Sequence, residues 1–442
     1  MRQNDEKPEL TGTSASAKGA AMPVGDIALH WKWVERSVWT DRMLMALQAG
    51  VKGSKWYSLM DKVWSPANLH SAWLGVKAND GAAGVDGQRV ARFGAQYQEE
   101  LKRLSQELQG DTYQRQPARR VWIDKPGSRE ERPLGIPCVR DRVAEGAVRQ
   151  VIEPIFEREF AQHSYGFRPG HSAQQAVVRV EELLRAGYTH IVDADFKGYF
   201  DSIPQGRLRE QLAERISDRR LLRLMDQCLS AGVMDSMKGW EPTERGTPQG
   251  AVISPLLANI YLNPLDHKMA GAGYAMTRYA DDFVIQCRSQ AEAQGALELV
   301  QAWVAQAGLV LHPDKTRIVD ATQWGGFDFL GWHFERGYQW PRAKSQAKLK
   351  EKIRQLTPRK SGQAMKEIVV RLNRSLRGWR GYFNHGVRNV PERLDQMVRR
   401  RLRMLLLKRR GKRGRPNKKV NQLWPNAYFD KLGLWRLDGD PS

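Results

Sequence analysis

Tyr279-Ala280-Asp281-Asp282 sets two adjacent carboxylates inside the run MTRYADDFVIQC. The pattern predicts a strand, a tight acidic turn and a second, apolar strand. Neighbouring carboxylates at a hairpin tip repel each other unless a cation sits there. A pair of divalent ions is the usual resident, and paired ions point to phosphoryl transfer. Taken alone, two aspartates at a turn are more often a solvated loop. The rest of the chain must supply the remaining groups.

Upstream, HIVDADFKGYFDSI places Ile191 and Val192 in a strand-like alternation that ends at Asp195. One reading is a strand closed by two caps. The other has Asp195 sharing metal ions with Asp281. Two ions about 4 Å apart cannot be surrounded by one turn, so carboxylates from separate elements are needed. Mg²⁺ suits such a site, because it takes oxygen ligands and keeps positions for water and substrate phosphates. Between these two motifs, Gly246 to Gly250 form a Gly-Thr-Pro-Gln-Gly turn before an apolar helix predicted over Val252 to Leu262. Gln249 in that turn can hydrogen-bond a base or sugar edge. A plain turn before a core helix explains its glycines and proline equally well.

The chain resembles the group II intron-encoded reverse transcriptase/maturase family. The matching motifs, in family order, are GAAGVDG (Gly81 to Gly87), RPLGIPCVRDRV (Arg132 to Val143), HSYGFRPGHSA (His163 to Ala173), DADFKGYFD, GTPQGAVISPLLANIYLN, RYADD, GLVLHPDKT (Gly308 to Thr316) and FDFLGWHF (Phe327 to Phe334). RLNRSLRGWRGYFNHG (Arg371 to Gly386) resembles the maturase thumb, and WPNAYFDKLGLWRL (Trp424 to Leu437) is similar to bacterial members.

The resemblance implies catalytic roles for Asp195, Asp281 and Asp282, with Asp282 near the primer 3′ end. It implies a metal site of Asp195, Phe196 and Asp281 holding two Mg²⁺ ions, with Mn²⁺ as a substitute. Lys125 and Arg132 would hold the triphosphate of an incoming dNTP, suited to it by charge and, for arginine, by a bidentate fork. Phe200 would exclude a ribonucleotide 2′-OH, Gln249 would touch the nucleotide and Lys315 would assist pyrophosphate departure. Phe196 and Ala251 stand where isoleucine and glycine are expected, and neither is a carboxylate.

The 442 residues are too many for one core, and 41% hydrophobic content supports globular folding. The net charge of +22 points to a polyanionic partner. That charge is unevenly placed: Arg342 to Lys419 hold 27 Lys and Arg against 4 Asp and Glu. Ile368, Leu372, Leu376, Trp379 and Phe383 recur at helical spacing there, flanked by Arg371, Arg374, Arg377 and Arg380, read as RNA-binding. Val398 to Lys419 carry 12 basic residues and no acid; Val398, Leu402, Leu405 and Leu406 can seat the first half as a helix, and Gly411, Gly414 and Pro416 then break it into a flexible basic arm. Arg409, Arg410, Lys412, Arg413 and Arg415 are its expected DNA contacts.

Residues 1 to about 30 are polar, aperiodic and expected to be disordered. Neither a signal peptide nor an apolar span of about 18 residues is present, so a cytoplasmic, nucleoid-associated bacterial protein without membrane partners is expected. The tryptophans from Trp31 to Trp73 are expected mainly in the core. Cys138, Cys228 and Cys287 are isolated, which implies neither zinc site nor disulfides. The chain reaches Ser442 without the zinc-binding endonuclease of many relatives, so the primer is expected from elsewhere. His312 and His385 read as local structure or RNA contacts.

These features predict an α+β right hand. Residues 1–38 would be a disordered or partly helical extension, 39–335 fingers and an antiparallel palm, 336–390 a helical thumb (the maturase domain), and 391–442 a basic DNA-binding tail. Expected partners are group II intron RNA, an RNA template with a DNA primer, dNTPs and target DNA. The expected activity is copying of intron RNA by target-primed synthesis together with assistance to splicing. Alternatives are a domesticated relative acting in defence or DNA repair, a splicing-only maturase, and an RNA-dependent RNA polymerase.

Overall fold

A computed structural model describes residues 29–124, 131–384, 389–412 and 416–437. At its centre lies an antiparallel palm sheet. Its strands are β3 (His190–Ala194), β6 (Ala275–Tyr279), β7 (Asp282–Cys287) and β8 (Arg317–Asp320), in the order β6-β7-β3-β8. Alternation along β3 and β7 splits the sheet into two faces. Val192, Ala194, Phe283 and Ile285 enter the main core, under helices Ser254–Gly271 (α4) and Gln290–Gln306 (α5). Ile191 and Val284 face the other way, against helix Ala173–Arg185 (α3) and a small sheet of β9 (Phe327–Phe329), β10 (Trp332–Glu335) and β11 (Tyr338–Pro341). The pairing Asp193↔Val284 puts Asp193 on that second face.

The fingers sheet runs β2-β1-β4-β5, with β1 (Ala118–Asp124), β2 (Glu131–Ile136), β4 (Val233–Asp235) and β5 (Gly239–Glu241). Helix Pro66–Asn79 (α1) packs on the long helix Val139–Glu157 (α2). Within α2, buried Glu145 pairs with Arg115 at 2.7 Å and accepts the Val252 amide at 2.7 Å. A charge buried this completely is tolerable only when paired and hydrogen-bonded. The pair therefore ties the fingers to the chain leading into α4. Trp31, Val34, Val38 and Trp39 are buried in the same core, so the part of the N-terminal extension beyond residue 28 is structural.

Helix α4 continues well past the expected Leu262, through Pro264 to Gly271. An interior proline forfeits one backbone hydrogen bond, but Leu265 and Met269 keep the buried stripe going.

Helices Ala343–Leu356 (α6), Met365–Tyr382 (α7), Asn389–Arg409 (α8), Lys418–Leu423 (α9) and Asn426–Lys431 (α10) share one core running from Leu349 to Leu437. That core crosses residue 390. The described part of 391–437 packs onto the thumb, because Leu394, Val398, Leu402 and Leu405 face the same core as Ile368 and Leu372. Phe383 belongs instead to the palm side, with its ring 4.9 Å from Trp332. The α7 stripe thus joins two cores. No helix among the described residues is long and apolar enough to cross a membrane.

Candidate active site

Asp281 sits in the two-residue turn between β6 and β7, whose last paired residues are Tyr279 and Asp282. Ala280 takes a left-handed φ of 59° to make that turn. The turn is gripped from inside the protein. Arg278, fully buried, donates from Nη1 to the Ala280 carbonyl (2.8 Å) and to Asn259 Oδ1 (2.9 Å). Its Nε and Nη2 fork onto Asp266 at 2.7 and 2.5 Å. Asn259 in turn donates to the Gly166 carbonyl at 2.7 Å. Gly166 lies directly under the turn, where a Cβ would overlap the Ala280 amide nitrogen. This is why HSYGFRPGHSA carries a glycine there.

Asp195 leaves the end of β3 beside this turn. Its carbonyl accepts the His312 amide at 2.7 Å and the Lys197 amide bonds Val310 at 2.9 Å, so the strand end is stitched to the loop that carries Lys315. Lys315 Nζ then meets Asp195 Oδ2 at 2.6 Å. The Phe196 ring is buried against Tyr199 and Phe283, at 5.2 and 5.4 Å between centroids. Only its backbone carbonyl remains for the metal role that the family resemblance implies.

The carboxylates crowd one another. Surrounding protein pushes the Asp282 carboxyl up to about 7, and the charges of Asp281, Asp195 and Asp193 add to the shift while Arg342 opposes it. The residue itself is solvent-exposed, so the crowding of charge weighs more than burial. The Asp281 carboxyl is raised by burial and by Asp195, and lowered by Arg132 and Arg278. Among the described residues no three His, Cys, Asp or Glu side chains are placed to enclose a metal ion, with Asp195 paired to Lys315. The donor set nevertheless fits hard divalent cations. It consists of carboxylate oxygens gathered at one strand end and one turn, a concentration of negative charge that such an ion relieves.

Gln249 Nε2 donates to Asp201 Oδ2 at 2.7 Å. Burial raises the Asp201 carboxyl and Arg120, Gln249 and Arg132 lower it. Arg120, Asp201 and Gln249 edge a cleft of about 290 Å³. Phe200 packs partly exposed on the core next to it, its carbonyl accepting the Thr247 amide at 2.7 Å. The structure therefore sets Lys315 on Asp195 and Gln249 on Asp201, with Phe200 beside the turn that carries Gln249, while the charge of Arg132 acts on both Asp281 and Asp201. Lys125, Arg413, Arg415 and His385 lie outside the described residues.

On α7, Arg371, Arg374 and Arg377 are exposed. Arg371 bonds Gln363 at 2.9 Å, while Arg374 and Arg377 have no ion-pair partner among the described residues. Arg380 instead caps its own helix, donating to the Phe383 and Asn384 carbonyls at 2.7 and 2.9 Å. Arg409 donates to the Ser361 and Gln363 carbonyls, and the Arg410 guanidinium lies 4.8 Å from the Trp424 ring. Both contacts hold the end of α8 in place. Lys412 is exposed.

Sequence reasoning missed Arg278, Asp266, Asn259, Arg120 and Asp201. The available signal was Arg278 itself, a charge at a position that strand alternation assigns to the core.

Fingers, a carboxylate-bearing palm and a helical thumb define a right-hand nucleotidyltransferase. Comparison with known proteins is consistent with this. A model of the reverse transcriptase (RNA-dependent DNA polymerase) family matches residues 123–334, and one of the group II intron maturase-specific domain matches residues 346–424. Protein YkfC of Escherichia coli (strain K12) is 35% identical over 293 residues, covering 56% of this chain and 74% of that protein. Group II intron-encoded protein LtrA of Lactococcus lactis subsp. cremoris is 39% identical over 169 residues, covering 38% of this chain and only 28% of that protein. Among solved structures, a partial Cas6-RT-Cas1–Cas2 complex is similar at 26% identity and a TM-score of 0.37, covering 56% of this chain and 41% of that chain. The chain belongs to the group II intron reverse transcriptase/maturase family: it is an RNA-directed DNA polymerase with a maturase domain.

Proposed function

We propose that this chain extends a DNA primer 3′-OH on group II intron RNA, primed at a target DNA, and clasps the same RNA to assist its splicing. The observation that supports the reading is that β3 and β7 are paired through Ala194 and Phe283, which sets Asp195 beside the turn carrying Asp281 and Asp282. Asp195 and Asp281, with the Phe196 carbonyl, would hold two Mg²⁺ ions. Such ions activate the primer hydroxyl and neutralise the leaving pyrophosphate. Arg132 steadies the triphosphate, Gln249 orients the nucleotide from its seat on Asp201, and Lys315 turns from Asp195 toward the departing phosphates. Phe200 rejects ribonucleotides by bulk, so Phe200→Ala should raise rNTP incorporation at least several-fold. Unchanged discrimination would remove that role.

Exposed Arg371, Arg374 and Arg377 on α7, together with Lys412, supply the cationic face for RNA and target DNA. Recognition of such RNA rests on shape, loops and backbone rather than major-groove reading. The test is copying of an RNA carrying the flanking intron sequence, primed by a nicked DNA. A cDNA joined to the nicked strand is expected. Extension of a simple RNA–DNA hybrid without target-primed product would favour a reverse transcriptase serving another role.

A further inference from the structure

Phe167 has a φ of 58°, in the left-handed region that aromatic residues rarely enter, and its side chain is half exposed. Strain of this kind persists only where the surroundings over-determine it, and it collects at functional sites. Here the ring's own burial does not offset it.

Both neighbours are fixed. Gly166 is wedged beneath the catalytic turn. Arg168 is buried and fully engaged, forking onto Glu157 at 2.7 and 3.0 Å and donating to the Ala161 and Ser164 carbonyls, each at 2.6 Å. Held between them, the Phe167 ring stands 6.2 Å from that of Tyr279, two residues before Asp281.

We propose that Phe167 is a duplex-contact residue that presents its ring to the newly formed primer–template hybrid beside the catalytic turn. The inference rests on the polymerase reading above and deepens it. A phosphate is a poor fit, because the adjacent guanidinium is already consumed by Glu157 and two carbonyls. A flat apolar ring suits sugar and base edges. Behind its terminal pair a hybrid shows those edges in a groove that is wide and shallow in A-like geometry. Because Gly166 packs on Ala280, the ring and Asp281 move as one body, and the contact reports duplex position directly to the chemistry.

The test compares Phe167→Gly and Phe167→Tyr with wild type. One arm is equilibrium binding of a labelled DNA primer annealed to an RNA template, read by anisotropy. The others are thermal melting and steady-state extension. Glycine adopts φ 58° freely, so Phe167→Gly should melt no lower than wild type while binding the hybrid roughly tenfold more weakly. KM for the hybrid should rise and kcat at saturation stay within about twofold. Phe167→Tyr should bind like wild type. A lower melting temperature for Phe167→Gly with unchanged hybrid affinity would overturn the proposal and make the ring a structural element. Wild type that binds the hybrid tightly without extending it would sink the polymerase reading while leaving the affinity comparison to decide this one.

Discussion

Arg278 Nη1 donates to the carbonyl of Ala280 at 2.8 Å, so the residue just before Asp281 is held by a guanidinium that solvent never reaches. The same guanidinium is forked onto Asp266 and bonded to Asn259. The hairpin tip is therefore positioned from the core outward rather than left as a loose turn.

Breaking a buried pair on one side strands the other charge, at about 3–5 kcal/mol. Arg278→Met should lose about that much stability in urea and most of its extension rate. Replacing both partners by apolar residues is often near neutral. Arg278→Met with Asp266→Leu should therefore regain most of the stability yet stay slow, because the Ala280 carbonyl still lacks its donor. A double variant that recovered both stability and rate would show that Arg278 does not position the turn.

Lys315 and Asp195 are paired at 2.6 Å but keep 56% and 36% of their side-chain surface. Such a pair contributes about 0–1 kcal/mol to stability, so Lys315→Ala should melt close to wild type. Its effect should appear in metal binding, since the ammonium competes with a cation for the same oxygen. Calorimetric titration with Mn²⁺ should give a lower dissociation constant for Lys315→Ala than for wild type. An unchanged constant would mean that the pair does not guard the site.

Burial and then the nearby Arg179 push the His163 imidazole down to about 4 from its usual 6.5. A depressed base stays neutral in the fold and binds a proton first in the unfolded chain. The stability it contributes is present above pH 6.5 and is lost as pH falls toward 4. The full shift corresponds to about 3 kcal/mol, trimmed to about 1–2 by partial exposure. His163→Gln should flatten the fall in urea midpoint between pH 7 and pH 5 relative to wild type. Parallel curves for the two proteins would assign the acid lability elsewhere.

Arg374 and Arg377 project from α7 without ion-pair partners among the described residues. Arg374→Ala with Arg377→Ala should weaken RNA binding about tenfold and shallow the salt slope by about one to two units. Filter binding across a salt series would show it. Unchanged affinity and slope would make that face a solvated one.

The hairpin of Asp281 and the strand ending at Asp195 were legible because their signals are local: alternation, a turn and charge at its tip. The partners of Arg278 were not. Burial of an arginine on a strand depends on groups from α4 that no periodicity in β6 announces. The basic thumb was legible as charge but not as use. Arg380, Arg409 and Arg410 look like nucleic-acid contacts in sequence, yet they meet carbonyls and the Trp424 ring, and such partners become visible only when the chain is folded. The helical half of Val398 to Lys419 was legible from the spacing of Val398, Leu402 and Leu405, but the core it joins was not. Apolar residues on α8 and α10 close the thumb core together with α7, a partnership between distant segments that no local spacing announces.

The most direct measurement is primer extension on an RNA template with dNTPs and Mg²⁺, wild type beside Asp281→Ala, with hybrid binding recorded for both. Extension by wild type and none by Asp281→Ala, at hybrid affinity within a few-fold, is the predicted result. Extension that survives Asp281→Ala, or its absence in a wild type that binds RNA tightly, would contradict the assignment of chemistry to this turn.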